Sequence, residues 1–403
     1  MKSMSIGIPV RTAGTAVRDL TIEVHRDMGA LEPLWREFER RATCTVFQTY
    51  RWLSTWFATV GGTTGVEPAI MCARDAAGVP VLILPFGITT HRGTRILGWL
   101  GGEHANYQFG LFAPDWLDAI GPADFEALWQ DIVAALPAFD LLCFADQPEA
   151  WDGRTNPFVH LPHLPSANRS HVLHLAADYE TLYAAKRSSS SRRSARKRDR
   201  RLEQDGPVEF RRPTNPRETA VALATLFSQK IPHMESIGVG DVYGPAFPDF
   251  LAALAPPAGG EPSPLDIRCL TCGGETIATV LGAVGKGRYY GLILSMTDGP
   301  LRRHSPGELA LRRTIEACCA LGLREFDLSQ GEAAYKAAWA DDQLAQFDTL
   351  IAYTAKGHAY AAVARLTLTA KRHIKQSPRL LAAANALRKG LLGRNSHARS
   401  ERS

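Results

Sequence analysis

The chain has 403 residues, of which 45% are hydrophobic and 22% charged, and a formal net charge of +5. This is the composition of an ordinary soluble globular protein, and the length predicts two or three domains with substantial cores. No apolar run approaches the roughly 20 residues that span a bilayer, and the N-terminus lacks the pattern of a signal peptide. The seven cysteines are odd in number and lie mostly in apolar segments, which predicts a reducing, cytoplasmic location.

The first half of the chain alternates between strand and helix patterns. In chain order the predicted elements are a strand at 20–26, helices at 30–42 and 49–60, two strands within 67–88 around the turn at Ala77 and Gly78, a strand at 95–101, a helix at 123–135 and a buried strand at 139–145.

The second half repeats this order. Its predicted elements are a strand at 207–213, helices at 218–231 and 246–255, two strands within 265–284, a third strand at 287–295, a helix from 305 and a strand at 324–329. The repeat predicts an α+β fold of two tandem units, each with a mostly antiparallel mixed sheet flanked by helices.

The helix that begins near Ser305 has the clearest local signals. Ser305 is a good N-cap, Pro306 suits the first helical position, and Glu308 completes a capping box. The helix carries one apolar stripe and is closed by Gly322; the stripe consists of Leu311, Ile315, Cys318 and Cys319. After the strand at 324–329, the sequence predicts a loop that carries Tyr335, Lys336 and Trp339.

These segments resemble the GNAT superfamily of acyltransferases, and the doubled unit is similar to the FemAB-like tandem arrangement. The second half looks most like the CelD-like acetyltransferases of cellulose and exopolysaccharide biosynthesis. The resemblance covers residues 20 to 355 and rests on the basic helix 182–205, RYYGLILS (288–295), SPGELAL (305–311) and FDLSQGEAAYKAAW (326–339). It implies acetyl-CoA or another acyl-CoA as the donor.

The resemblance also implies a division of the chain. The predicted segments are a flexible N-terminus (1–18), a first GNAT-like unit without a cofactor loop (19–165), a second, catalytic GNAT-like unit (166–355) and a basic helical tail (356–403).

The basic helix is an unusual run of charge. Residues 186–201 contain nine Lys or Arg and one acid, Asp199. Such a run is typical of a solvent-facing helix that joins two halves, of a site for an anionic partner such as CoA phosphates, a sugar nucleotide or RNA, or of a membrane-surface patch. DNA binding is not expected, because neither stacking aromatics nor a groove-reading element accompanies the run. The basic tail is either a docked terminal helix or a membrane-surface segment.

No metal site is predicted. Cys269 and Cys272 form only one pair of potential zinc ligands, and residues three apart on a strand point to opposite faces. Cys318 and Cys319 are adjacent on a helix, and the histidines show no metal-binding spacing.

The start of the second unit's last long helix is the predicted donor site. The positive end of a helix and its free N–H groups suit a pyrophosphate. The resemblance places that pyrophosphate at the predicted cofactor residues, which are Arg303, His304, Ser305, Pro306, Gly307, Glu308 and Leu309.

The candidate catalytic residues follow in the next segment. Acyl transfer to an amine needs a polarised carbonyl and a proton acceptor. Asp327 or Glu332 is the predicted general base, Tyr335 the predicted acid toward the leaving thiolate, and Lys336 a partner for an acceptor carboxylate or phosphate, or for Asp327. Tyr290 is a lesser candidate for the substrate wall.

The first unit has no Ser-Pro-Gly turn, because its helix starts at Gly121-Pro122. We expect this unit to have lost donor binding and to shape the acceptor cleft, with Asn106 and Tyr107 contacting the acceptor.

The sequence therefore predicts an acyl-CoA-dependent N-acyltransferase. The resemblance implies an acceptor amino group on a sugar, a sugar nucleotide or a polysaccharide precursor. Two alternatives stay open: a FemAB-like aminoacyl transferase that uses charged tRNA, and a non-catalytic accessory protein of polysaccharide biosynthesis.

Overall fold

The computed structural model describes residues 8–9, 19–236, 243–255, 263–331 and 333–376. The chain divides into two compact units. One comprises the chain up to Arg169 together with Leu344–Arg372, and the other comprises Ser170–Gln343. The return of residues 344–355 to the first unit differs from the sequence analysis, which placed them in the second.

The elements of the first unit follow the predicted order closely. The strands are β1 (Ile8–Pro9), β2 (Thr21–His25), β3 (Glu67–Arg74), β4 (Pro80–His91), β5 (Thr94–Trp99), β6 (Leu111–Phe112), β7 (Leu141–Pro148), β8 (Ala150–Trp151), β9 (Arg154–Thr155) and β10 (His163–His174), whose residues from Ser170 belong to the second unit. The helices are α1 (Glu32–Arg41), α2 (Tyr50–Trp56), α3 (Pro114–Ala119) and α4 (Pro122–Ala135).

The sheet of the first unit is mostly antiparallel. Strands β2, β3, β4 and β5 pair in sequence order as antiparallel neighbours. The pairing of β5 with β7 is parallel and is limited to Ile96 with Leu141 and Leu97 with Leu142. Helix α4 makes the crossover that a parallel pair requires.

The second unit has the same succession of elements. Its helices are α5 (Tyr179–Lys186), α6 (Ser189–Asp205), α7 (Pro216–Ser236), α8 (Phe247–Leu254), α9 (Pro306–Ala320) and α10 (Ala334–Trp339), and its strands are β11 (Val208–Arg211), β12 (Leu265–Cys272), β13 (Glu275–Gly285), β14 (Arg288–Met296) and β15 (Glu325–Gln330).

The predicted duplication is confirmed in the element order. In each unit a strand, two helices, three strands, a helix and a strand follow one another: β2-α1-α2-β3-β4-β5-α4-β7 and β11-α7-α8-β12-β13-β14-α9-β15, with α3 and β6 as additions to the first. Strands β11 to β14 are antiparallel neighbours, and β14 and β15 are parallel. The α+β class with mostly antiparallel mixed sheets is therefore confirmed.

Two further elements close the described chain. Strand β16 (Asp342–Ala352) pairs with β7, and α11 (Ala355–Gln376) packs Ala361 against Leu141 and Leu350. The described part of the predicted tail is thus helical and packs on the first unit at Ala361, and residues 377–403 lie outside the described residues. No helix in the part of the chain that the structure describes is long and apolar enough to cross a membrane.

Three local predictions are corrected. The predicted helix 182–205 is two helices, because Arg187 is extended and Ser188 starts a new helix by accepting the N–H of Ser191. Residues 334–339 form the short helix α10 rather than a loop, which suits their alanine-rich sequence. The capping box at Ser305 is absent, for the reason given below.

Candidate functional site

The parallel pair β14 and β15 opens into a gap. Only three pairs of residues face each other, ending at Tyr290 and Asp327. Beyond that point β14 continues to Met296 and β15 to Gln330, and the two strands are no longer paired. The gap exposes backbone at the centre of the second unit's sheet.

A cavity of about 350 Å³ occupies this gap. It reaches both faces of the sheet, as the residues beside it show. Ser295 donates to Gln229 on α7 at 2.9 Å, whereas Leu294 packs into the core cluster that contains α9. Because consecutive strand residues point to opposite faces, α7 and α9 lie on opposite faces, and residues of both helices line the cavity.

A β-bulge lies on the cavity wall. Leu281 of β13 pairs with Ile293, and the next residue, Gly282, pairs with Gly291, so Leu292 has no partner residue on β13. Bulges interrupt the ladder and occur often beside active sites. The interruption falls on the part of β14 that lines the cavity.

The face of α7 turned to the cavity is mostly polar, with Met234 as its apolar member. Gln229, Lys230 and His233 all line it. The Lys230 amine donates to the carbonyl of Leu294 at 3.2 Å, and burial lowers the pKa of this amine. The ring of His233 makes no hydrogen bond to any described residue. The sequence analysis missed these three residues.

Helix α10 brings two predicted residues to the cavity. Tyr335 and Lys336 both line it. Tyr335 as a whole is 41% exposed, and the partial burial of its hydroxyl raises the pKa of that group. Lys336 is buried, and its amine donates to the carbonyl of Gln330.

The start of α9 differs from the predicted donor loop. Ser305 adopts a left-handed conformation (φ 56°, ψ 55°), and its side chain caps no N–H group. The Glu308 carboxylate accepts from Arg198 at 2.6 Å. The backbone N–H groups of Glu308 and Leu309 both donate to the Ser305 carbonyl, at 3.0 and 3.3 Å. These two N–H groups are therefore satisfied within the turn and do not serve as the predicted phosphate donors.

The backbone N–H of Gly307 remains available as a hydrogen-bond donor at the start of α9. Gly307 is buried, and its N–H makes no hydrogen bond to a described residue. It lies in the first turn of α9, where the first backbone hydrogen bonds are donated by Glu308 and Leu309. A buried N–H group without a partner is costly and suits an acceptor such as a phosphate oxygen. A Cβ at Gly307 would lie 3.2 Å from Met296 Sδ, at the cavity end of β14.

Arg303 and His304 are held by α6. Arg303 donates to both oxygens of Asp205 at 3.0 and 2.9 Å, and the His304 ring contacts the same carboxylate at 2.7 Å. A second cavity beside this cluster is lined by Arg198, Arg201 and Arg303. The predicted cofactor residues 303 and 304 thus lie on a basic surface next to the start of α9.

The contacts of Asp205 with Arg303 and His304 can be tested by the pH dependence of stability. The hydrogen bond to His304, and then the charge of Arg303, lower the pKa of its carboxyl. A carboxyl with a lowered folded-state pKa stabilises above its unfolded pKa of about 3.9 and loses that contribution as the pH falls through the folded value. We expect Asp205→Asn to be less stable than the parent at pH 7.

The difference between Asp205→Asn and the parent should shrink as the pH falls below about 4. Urea unfolding midpoints at several pH values measure it. Glu203→Gln on the same helix is the control, since Glu203 makes no ion pair with a described residue. A difference that does not depend on pH would contradict the electrostatic origin of the anchor.

Asp327, one of the two predicted bases, does not line the cavity. Asp327 is fully buried and its carboxylate accepts the Ser329 N–H at 2.7 Å. Its neighbours Phe326 and Leu328 pack in the core cluster that contains α9, so the alternation of the strand directs Asp327 to the α7 face, where its side chain does not line the cavity. Glu332 lies outside the described residues. Tyr290 is also fully buried and does not line this cavity.

The corresponding gap in the first unit is filled by aromatic rings. The ring centroids of Trp99 and Phe144, on β5 and β7, lie 4.9 Å apart, and Phe158 packs 5.3 Å from Trp99 and 5.6 Å from Phe144. All three side chains are buried. Where the second unit has a cavity, the first has a packed core.

The predicted acceptor residues of the first unit, Asn106 and Tyr107, both have backbone carbonyls that accept hydrogen bonds from described side chains. Tyr107 is fully buried, with its ring 4.9 Å from Trp151, and its carbonyl accepts from Gln48. The carbonyl of Asn106 accepts from Gln346 at 3.2 Å. Burial therefore removes the Tyr107 ring from any contact with an acceptor at the surface.

Helix α6 is docked through its minority of acidic residues. Asp199 accepts from the buried Arg312 of α9 at 2.8 Å, and Asp205 anchors residues 303 and 304. The exposed cations on the helix make no ion pair with any described residue; they are Arg193, Arg196, Lys197, Arg200 and Arg201. Among the described residues no group of three or more His, Cys, Asp or Glu could hold a metal ion.

Comparison with known proteins gives one family match. A family described as acetyltransferase (GNAT) domain matches residues 189–337, which contain the residues that line the cavity, all of α9 and the first part of α10. No curated protein matches the chain.

Solved structures add a likeness of fold. FemX matches with a TM-score of 0.56 at 10% identity, over 79% of this chain and 96% of FemX. The C-terminal domain of a putative lysylphosphatidylglycerol synthetase from Agrobacterium fabrum matches with a TM-score of 0.45 at 14% identity, over 74% of this chain and 87% of that one. L-PGS from Bacillus licheniformis matches with a TM-score of 0.47 at 11% identity, over 84% and 96%.

Proposed function

We propose that this chain, which is a GNAT-type acyltransferase, transfers an acyl group from acyl-CoA to an amine at the cavity between β14 and β15. The observation that carries the proposal is the gap between these parallel strands, which gives a donor on the α9 face and an acceptor on the α7 face access to one space. Because the chain is an enzyme, the non-catalytic accessory role is set aside.

The donor's phosphates would bind at the start of α9. The buried N–H of Gly307 supplies a donor to the pyrophosphate, and Arg198, Arg201 and Arg303 surround the adjoining cavity. Arginine is well suited to phosphate because its guanidinium can make two parallel hydrogen bonds. From this site the acyl end of CoA would extend along β14 to the gap.

The chemistry at the gap needs three groups. The N–H of Leu292 at the bulge would polarise the thioester carbonyl. The acceptor nitrogen attacks that carbonyl and gives up a proton, which His233 would accept as the general base. The C–S bond then breaks, and Tyr335 would donate a proton to the thiolate. His233 replaces Asp327 and Glu332 as the proposed base.

For the acceptor we propose only a chemical class, and for the first unit only the loss of donor binding. The resemblance to CelD-like enzymes supports an amino group on a sugar, a sugar nucleotide or a polysaccharide precursor, with acetyl-CoA as the donor. The packed rings of Trp99, Phe144 and Phe158 support the loss of donor binding from the first unit.

A second candidate function is aminoacyl transfer from charged tRNA. The observation that favours it is the row of exposed cations on α6, which have no counter-ion among the described residues. Phosphate contacts by such cations would make binding steeply dependent on salt.

Thermal unfolding of the full chain with added ligands separates the two candidates. Acetyl-CoA at about 100 times its dissociation constant should stabilise the fold by about 2.7 kcal/mol. Bulk tRNA is the parallel ligand, tested at about 50 and about 200 mM salt. Saturable stabilisation by acetyl-CoA supports the first candidate. Stabilisation by tRNA alone, lost at the higher salt concentration, would replace it with the second.

A further inference from the structure

The lysine and carboxylate side chains that line the cavity between β14 and β15 are unequal in number: lysines are present, and described carboxylates are not. Two lysines line it, Lys230 from α7 and Lys336 from α10. No aspartate or glutamate does so among the residues that the structure describes. A cavity lined in this way presents a positive potential to whatever enters it.

Of the two lysines, Lys230 gives the stronger evidence for a bound anion. Its one hydrogen bond to a described residue is to the Leu294 carbonyl, and no described carboxylate pairs with it. Burial lowers the pKa of this amine, because the ammonium charge has lost part of its hydration. A half-buried cation without a counter-ion is costly, and an anion in the cavity would offset that cost.

Lys336 reaches the same cavity from a different element. It is buried, and the first turn of α10 and the end of β15 fix its position through the hydrogen bond to Gln330. Lys230 on α7 and Lys336 on α10 thus meet at one cavity. This arrangement suits the binding of one negatively charged group, whereas lysines spread over a surface would attract anions without a defined site.

The remaining polar lining consists of His233 and of amide and hydroxyl groups. Gln229 accepts from Ser295 at 2.9 Å and donates to the Thr276 carbonyl at 2.9 Å, so its amide is fixed in place. Neutral amide and hydroxyl groups of this kind suit hydroxyl-bearing ligands. A polycationic amine such as a polyamine would meet only repulsion from the two lysines.

We infer that the acceptor of this enzyme is an anionic amine, in which the nucleophilic amino group belongs to a molecule that also carries a phosphate or a carboxylate bound by Lys230 and Lys336. The inference rests on the proposed function, because it assigns the α7 face of the same cavity to the acceptor.

Three amino sugars with the same ring and amine test the inference. They are glucosamine, glucosamine 6-phosphate and muramic acid, which carry no anion, a phosphate and a carboxylate respectively. Calorimetry on the full chain measures their affinities, and a separate titration with acetyl-CoA reports on the donor site. We expect at least one anionic sugar to bind about tenfold or more tightly than glucosamine, as charged hydrogen bonds allow.

Lys230→Gln is the decisive variant. It removes the charge but keeps a donor for the Leu294 carbonyl, and it should abolish the preference for the anionic sugar while leaving the affinity for acetyl-CoA unchanged. Lys356→Gln, an exposed lysine on α11 in the first unit, is the matched control and should change neither affinity.

Two results would overturn the inference. One is equal affinity, or no affinity, for all three sugars in a chain that binds acetyl-CoA. The other is a preference for the anionic sugar that survives Lys230→Gln. Failure of acetyl-CoA to bind in the donor titration would instead count against the proposed donor, so the two failures are distinguishable.

Discussion

Gly307→Glu should abolish the binding of acetyl-CoA, with a loss of affinity of more than about 100-fold, or about 2.7 kcal/mol. The buried N–H of Gly307 has no partner among the described residues, and a phosphate oxygen is its proposed acceptor. A glutamate at this position places a negative charge where the pyrophosphate would lie. Isothermal calorimetry with acetyl-CoA measures the loss, and circular dichroism checks that the fold persists.

Two control variants separate charge from size at Gly307. A Cβ would meet only the flexible side chain of Met296, at 3.2 Å, so Gly307→Ala should fold and retain most of the affinity. Gly307→Gln has the size of glutamate without its charge and should fall between the two. An unchanged affinity in Gly307→Glu would exclude the start of α9 as the donor site.

The order of elements was predictable because its signals are local. Turns at Gly78 and at Gly273 have the positive φ that glycine favours, and the apolar stripe of α9 is buried as its spacing indicates. Strand β16 was missed because its partner, β7, lies about two hundred residues earlier in the chain, and nothing in its own sequence identifies that partner.

The site was predictable in part. Tyr335 and Lys336 lie at the cavity because they follow β15 closely, whereas the predicted capping box failed because Ser305 is left-handed and Glu308 pairs with Arg198.

The missed residues of α7 did leave a signal in the sequence. Leu226 is fully buried, and Gln229, Lys230 and His233 continue its stripe at helical spacing. Polar residues where the helical period calls for apolar ones mark a face that lines a cavity.

His233→Gln should lower kcat by about 10²–10³-fold, within the range expected for loss of a general base. Glutamine keeps a similar size but cannot take a proton from the acceptor amine. The KM for acetyl-CoA should change little, because the proposed phosphate contacts belong to α6, to Arg303 and to the start of α9, whereas His233 belongs to α7. Release of free CoA thiol, measured with the best acceptor of the amino-sugar series, gives both constants.

Variants of three other residues, measured in the same assay, test whether His233 is the general base. Asp327→Asn should alter stability rather than kcat, because the carboxylate is buried and accepts the Ser329 N–H. His358→Gln, an exposed histidine on α11, should leave both constants unchanged. If kcat survives in His233→Gln and collapses in Glu332→Gln, the proton is taken by the predicted glutamate. The α7 face would then bind the acceptor without taking part in the chemistry.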